Sequence, residues 1–111
     1  MRFRFECRNT RLGGYTRCFI FQLNNSVPVP IRPSTIKHSK SETHWTEEYD
    51  LDEGHDYLFV IIDISNRGHH YCTFYTARVH DSTLKTIKAE VYLTQDVLRV
   101  MCPCLLSRLN L

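Results

Sequence analysis

Several ingredients of catalysis and membrane insertion are scarce or missing. The chain has four glycines in 111 residues, little material for a loop that cradles phosphate. It contains no nucleophile elbow, no phosphate-binding Gly-rich loop and no His-Glu-x-x-His metalloprotease motif. The longest apolar run, Leu58 to Ile62, falls far short of the roughly 18 residues a membrane helix needs. The first residues, MRFRFECRNTR, lack the apolar stretch of a signal peptide, so a cytoplasmic or nuclear location without membrane contact is expected. Five cysteines, an odd number, then read as reduced and mostly buried thiols. No internal repeat or low-complexity tract divides the chain, and its length fits one domain over residues 1–111.

What is present is a globular composition, 42% hydrophobic and 23% charged, which argues against wholesale disorder. The net charge of +2 hides a segregation of sign. Residues 1–40 carry eight Lys or Arg against Glu6 alone, and residues 41–56 carry seven Asp or Glu with no Lys or Arg. Two explanations are open. The basic part meets an anionic partner, or the two segments lie side by side and neutralise each other.

The hydrophobic pattern is that of strands. The centre is Tyr57–His80, two β-prone runs around Asn66-Arg67-Gly68, the signature of an antiparallel hairpin. Residues 2–8 alternate, with Phe3, Phe5 and Cys7 on one face and Arg2, Arg4, Glu6 and Arg8 on the other. Gly13-Gly14 separates them from the run Tyr15–Leu23, which predicts a first hairpin. Pro28, Pro30 and Pro33 make residues 24–43 a loop or at most an edge strand. His44–Leu51 reads as a strand, Asp52-Glu53-Gly54 and Asp81-Ser82 as turns, and Lys85–Thr94 as an alternating strand. Beyond Thr94 the pattern fits a short helix burying Val97, Leu98, Val100 and Met101, or a last strand over Val97–Cys102. The expected architecture is mainly β, an antiparallel two-layer β-sandwich of about seven strands with a short C-terminal helix.

Around the central run the residues Leu51-x-x-Gly54-x-x-Tyr57-x-Phe59-x-Ile61, followed by Asn66-x-Gly68, resemble the corner of fibronectin type III and related immunoglobulin-like β-sandwiches. In that family a tyrosine hydroxyl bonds back to the preceding loop, a role the resemblance gives to Tyr57. The resemblance covers Leu51–Gly68 and implies a fold, with no implication for activity. A shorter stretch, Arg2-Phe3-Arg4-Phe5-Glu6-Cys7, is similar to the DNA-contacting loop of Rel-type transcription factors, where the arginines touch DNA.

Three sets of side chains could carry chemistry. Arg2, Arg4, Arg8, Arg11 and Arg17, interleaved with Phe3, Phe5 and Tyr15, offer cations for phosphates and rings for bases. His69, His70, Cys72, His80, Cys102 and Cys104 include metal-ligand types, but in no paired zinc spacing, so neither a metal nor a cofactor is expected. Cys72 with His70 or His80, and Glu47 or Glu48 with Asp50, are the only arrangements resembling catalytic pairs, and they do not make an enzyme. The leading expectation is a non-catalytic protein–protein interaction module, a small viral or host-directed accessory protein. Its docking surface would be the apolar tail at Leu105, Leu106 and Leu109, and it would have a protein partner or form a homodimer. The alternative is an RNA- or DNA-binding protein using the arginine-rich N-terminal segment.

Overall fold

The computed structural model describes residues 1–9, 14–38, 43–65, 67–89 and 91. These form eight strands: β1 (Arg2–Asn9), β2 (Tyr15–Asn24), β3 (Val27–Pro30), β4 (Thr35–His38), β5 (His44–Asp50), β6 (Asp56–Ile64), β7 (His70–His80) and β8 (Thr83–Thr86). No helix occurs among the described residues. Every pairing is antiparallel, and the strands join in one eight-stranded sheet of order β4-β5-β1-β2-β6-β7-β8, with β3 attached to β2. The predicted C-terminal helix and the apolar positions Leu105, Leu106 and Leu109 lie outside the described residues, as does Arg11.

β6 is central because both of its faces are apolar. Leu58, Val60, Ile62 and Ile64 pack with Phe21 on one side. Tyr57 and Phe59 pack with Cys18, Ile20, Tyr49, Leu51, Ala77 and Val79 on the other. Each fully buried side chain of this size contributes roughly 1.5–3 kcal/mol through removal of apolar surface from water. The second cluster also draws in Met1, Phe3 and Phe5 from the N-terminal segment, and the Phe3 and Phe59 rings meet edge-on at 5.2 Å. β1 and β6 are not neighbours in the sheet, β2 lying between them in the strand order.

The entry to β6 is pinned at Tyr57. Its buried hydroxyl accepts a hydrogen bond from the Asp52 backbone N–H at 2.7 Å, and Leu51 is buried beside it. Gly54 makes the intervening turn at φ +77°, a conformation a side chain would strain. Asp81 and Ser82 turn between β7 and β8 with positive φ at both positions, the geometry a two-residue hairpin requires.

The expected first hairpin forms but is short, and one further expectation is corrected. β1 and β2 are paired only at Arg8–Thr16 and Asn9–Tyr15, and the long partner of β1 is β5, from Arg2–Asp50 to Arg8–His44. Across this ladder the cations on the outer face of β1 meet the carboxylates of β5. The strand expected over Lys85–Thr94 ends at Thr86. Ile87 still donates its N–H to the Thr76 carbonyl, and Val91 packs against the Leu58–Val60 cluster.

Candidate interaction surface

The β1–β5 ladder brings the positive and negative segments together. Register sets Arg2 opposite Asp50 and Arg4 opposite Glu48, and β4 adds Lys37 next to Thr46. Three cations converge on Glu48: Arg2 at 3.3 Å, Arg4 at 3.5 Å and Lys37 at 3.1 Å. Arg2 also reaches Asp50 at 3.6 Å. The Lys37 ammonium lowers the Glu48 carboxyl from its ordinary pKa; burial opposes that shift, and the charges of Lys37, Arg4 and Arg2 reinforce it. Of the two explanations for the segregated charge, mutual neutralisation holds for these residues.

Arg17 is likewise engaged inside the molecule. Its guanidinium lies 4.9 Å from the Tyr15 ring centre and 4.5 Å from that of Trp45. It donates to the carbonyls of Arg8 at 3.1 Å and Thr16 at 2.8 Å, and to Asn9 Oδ1 at 2.6 Å. These bonds clamp the two-pair junction between β1 and β2. The four described arginines therefore form no single cationic face: Arg2 and Arg4 meet carboxylates, Arg17 locks a strand junction, and Arg8 is exposed beside it.

Position also separates another candidate pair. Cys72 and His80 lie near opposite ends of β7, eight steps of roughly 3.3 Å or about 26 Å apart, too far for a thiol–imidazole pair. Glu53 accepts hydrogen bonds from the Asp81 and Ser82 backbone N–H groups, so this exposed carboxylate next to His80 caps a turn. Cys7 and Cys18 sit within the core. Burial first, then nearby Glu47 for Cys7 and the Cys7 thiol for Cys18, pushes their pKa values up to about 11 and about 12. Both remain protonated and weakly nucleophilic at neutral pH.

Two features of the surface are left without an internal counterpart. The first is an edge. Asn9 donates to Thr43 O, and Met1 and Leu51 exchange both backbone bonds, so the odd-numbered positions of β1 face β5. The ladder alternates, and the backbone N–H and C=O groups of Arg2, Arg4 and Glu6 therefore point away from β5. β2 closes that side only from Arg8 onward, and among the described residues no strand pairs with the rest. The second is a pair of exposed tyrosines on one face of β7, Tyr71 at 61% and Tyr75 at 43% accessibility. Sequence reasoning passed over both. Tyrosine content marked β7 as β-prone, but alternation alone does not say which face another element covers. Comparison with protein-family models, with curated proteins and with solved structures returns no match for this chain.

Proposed function

We propose that this protein is a non-catalytic protein–protein interaction module, folded as a two-layer antiparallel β-sandwich in which β4-β5-β1 covers the inner face of β2-β6-β7. Support for the layering comes from contacts between strands that are not sheet neighbours. Phe3 of β1 meets Phe59 of β6, and the Tyr49 hydroxyl of β5, which donates to Glu47 at 2.8 Å, lies 3.5 Å from the Cys18 carbonyl of β2. The shortest Cα extent, 19 Å, accommodates two sheets stacked roughly 10 Å apart. The corner at Tyr57 supports kinship in fold with immunoglobulin-like sandwiches.

The observation that carries the functional proposal is the exposure of Tyr71 and Tyr75 on a strand whose sheet neighbour is buried. Tyrosine is enriched at protein interfaces because it offers large, rigid contact area with a polar tip. Nucleic-acid binding is the weaker alternative, since Glu48 and Asp50 offset all but one of the charges of Arg2, Arg4 and Lys37, too little for a run of phosphates. A role as a small viral or host-directed accessory protein in the cytoplasm follows from the same view, as does homodimerisation through an outer strand such as β8.

The test combines a partner and a control. A protein recovered with the tagged chain from its native host cell should bind the purified chain directly, and Tyr71→Ser/Tyr75→Ser should weaken that binding at least tenfold. Binding to a short duplex or single strand should be absent even at low salt. Salt-sensitive nucleic-acid binding lost in Arg2/Arg4/Arg8→Ala would overturn the proposal.

A further inference from the structure

The positions of β1 and β5 over the other sheet define a place where one more strand fits. Tyr49 of β5 reaches Cys18 of β2, and Phe3 of β1 reaches Phe59 of β6. One step from β5 to β1 therefore matches one step from β2 to β6. The next step beyond β1, on the side of its unpaired backbone groups, lies over β7. Tyr75 stands there, its ring 6.1 Å from that of Phe59 and its surface open. Among the described residues, an unpaired strand edge and an uncovered aromatic floor thus meet at one location.

We propose that this location is a strand-addition site for an extended segment of a partner protein in which acidic and apolar residues alternate. The inference rests on the interaction-module proposal and specifies its partner. Backbone pairing with Arg2, Arg4 and Glu6 supplies affinity, and side chains on alternate faces supply specificity. Inward residues of the incoming strand fall on Tyr75 and beside Phe3, which calls for apolar groups. Outward residues fall beside Arg2 and Arg4, whose side chains are 62% and 68% exposed, which calls for carboxylates. β5 shows the same chemistry on the other side of β1, with Asp50 and Glu48 outward and Tyr49 inward.

A folded second copy does not fit this place. Its own β1 would arrive with its β6 beneath it, held by the Phe3–Phe59 contact, and β7 already occupies that volume. The occupant is a segment free of a layer of its own.

The experiment uses a fluorescent peptide of alternating Glu and Val, a composition-matched peptide with the residues in blocks, and an alternating Lys and Val peptide. The full chain should bind the Glu/Val alternating peptide at least tenfold more tightly than either control, with affinity falling as salt rises. Arg4→Pro removes an N–H that β5 does not use, and Tyr75→Ser removes the floor; each should weaken binding at least tenfold. Arg4→Ala, which keeps the N–H, should lose less than Arg4→Pro. Near-UV circular dichroism confirms that each variant is folded, and Tyr75→Ser is decisive should Arg4→Pro not fold. Absence of peptide binding, equal binding of the block peptide, or wild-type affinity in Tyr75→Ser overturns strand addition. If a native partner still depends on Tyr71 and Tyr75 while the alternating peptide does not bind, the interaction module stands and the strand site falls.

Discussion

Phe59 and Tyr75 are register partners on adjacent strands and share one face, yet one is 1% and the other 43% exposed. Both are aromatic, both lie in apolar stretches, and their rings touch. What differs is the element across from them. Phe3 of β1 lies against Phe59, whereas among the described residues Tyr75 meets no ring other than that of Phe59. Burial here is decided by what stands opposite a residue, and on this face the boundary between core and surface passes between Phe59 and Tyr75, while Ala77 and Val79 farther along β7 stay buried.

The largest expected effect tests that boundary directly. Phe59→Ala should destabilise the protein by about 3–5 kcal/mol, because it empties the centre of the Tyr49–Tyr57–Val79 cluster. Tyr75→Ala, one strand away, should change stability by about 1 kcal/mol or less. Urea denaturation of both variants measures the contrast. Equal losses would mean that β7 is as well covered as β6 and would remove the basis for docking there.

A smaller effect belongs to the corner that delivers the chain into β6. Tyr57→Phe keeps the ring and removes only the oxygen that accepts the Asp52 N–H. A partly buried donor without a partner costs about 1–3 kcal/mol. The loss should appear in the denaturation midpoint with an unchanged slope, whereas Tyr71→Phe, at an exposed position, should leave the midpoint where it is. A silent Tyr57→Phe would mean the corner is held by packing of Leu51 and Tyr57 alone.

Much of this organisation was legible from residue order, and the exceptions have a common cause. Alternation of Phe3, Phe5 and Cys7 announces β1, and the Asn66–Gly68 turn announces the β6–β7 hairpin, because both signals are local. The partner of β1 is not local. Gly13-Gly14 suggests pairing with the next strand, which occurs at Arg8–Thr16 and Asn9–Tyr15, but the long partner, with Arg2 opposite Asp50 and Arg4 opposite Glu48, lies more than forty positions away. The proline-rich stretch hides β3 for a similar reason: Asn25 and Ser26, with positive φ, turn the chain so that Val27–Pro30 lies along β2 at an edge. The candidate surface depends on the same choice. Only once β5 is known to take one side of β1 can the other side be identified as open. Arg2 and Arg4 were singled out as cations, and their place beside that edge became visible only with the pairing.

The same pairing gives the last and smallest expected effect, one that shifts the boundary with pH. Glu48 gathers Arg2, Arg4 and Lys37, and so ties β1 and β4 to β5. Its carboxyl is held below the ordinary pKa of 4.5, chiefly by Lys37. A carboxyl depressed on folding contributes stability that is fully present above its unfolded pKa and is lost as pH falls through the folded value. Acidification below about 4.5 should therefore loosen β1 over β6 before the β6–β7 ladder opens. Amide protection, corrected for intrinsic exchange at each pH, should fall first at Phe3 and Phe5 and later at Leu58–Ile62. Glu48→Gln separates this group from the other carboxylates that titrate in the same range. The variant should start with weaker protection in β1 and lose little more on acidification. If β1 protection in Glu48→Gln falls with pH as steeply as in the wild type, the tie between β1 and β5 lies in the backbone ladder and in Asp50, and the cover over Phe59 does not depend on Glu48.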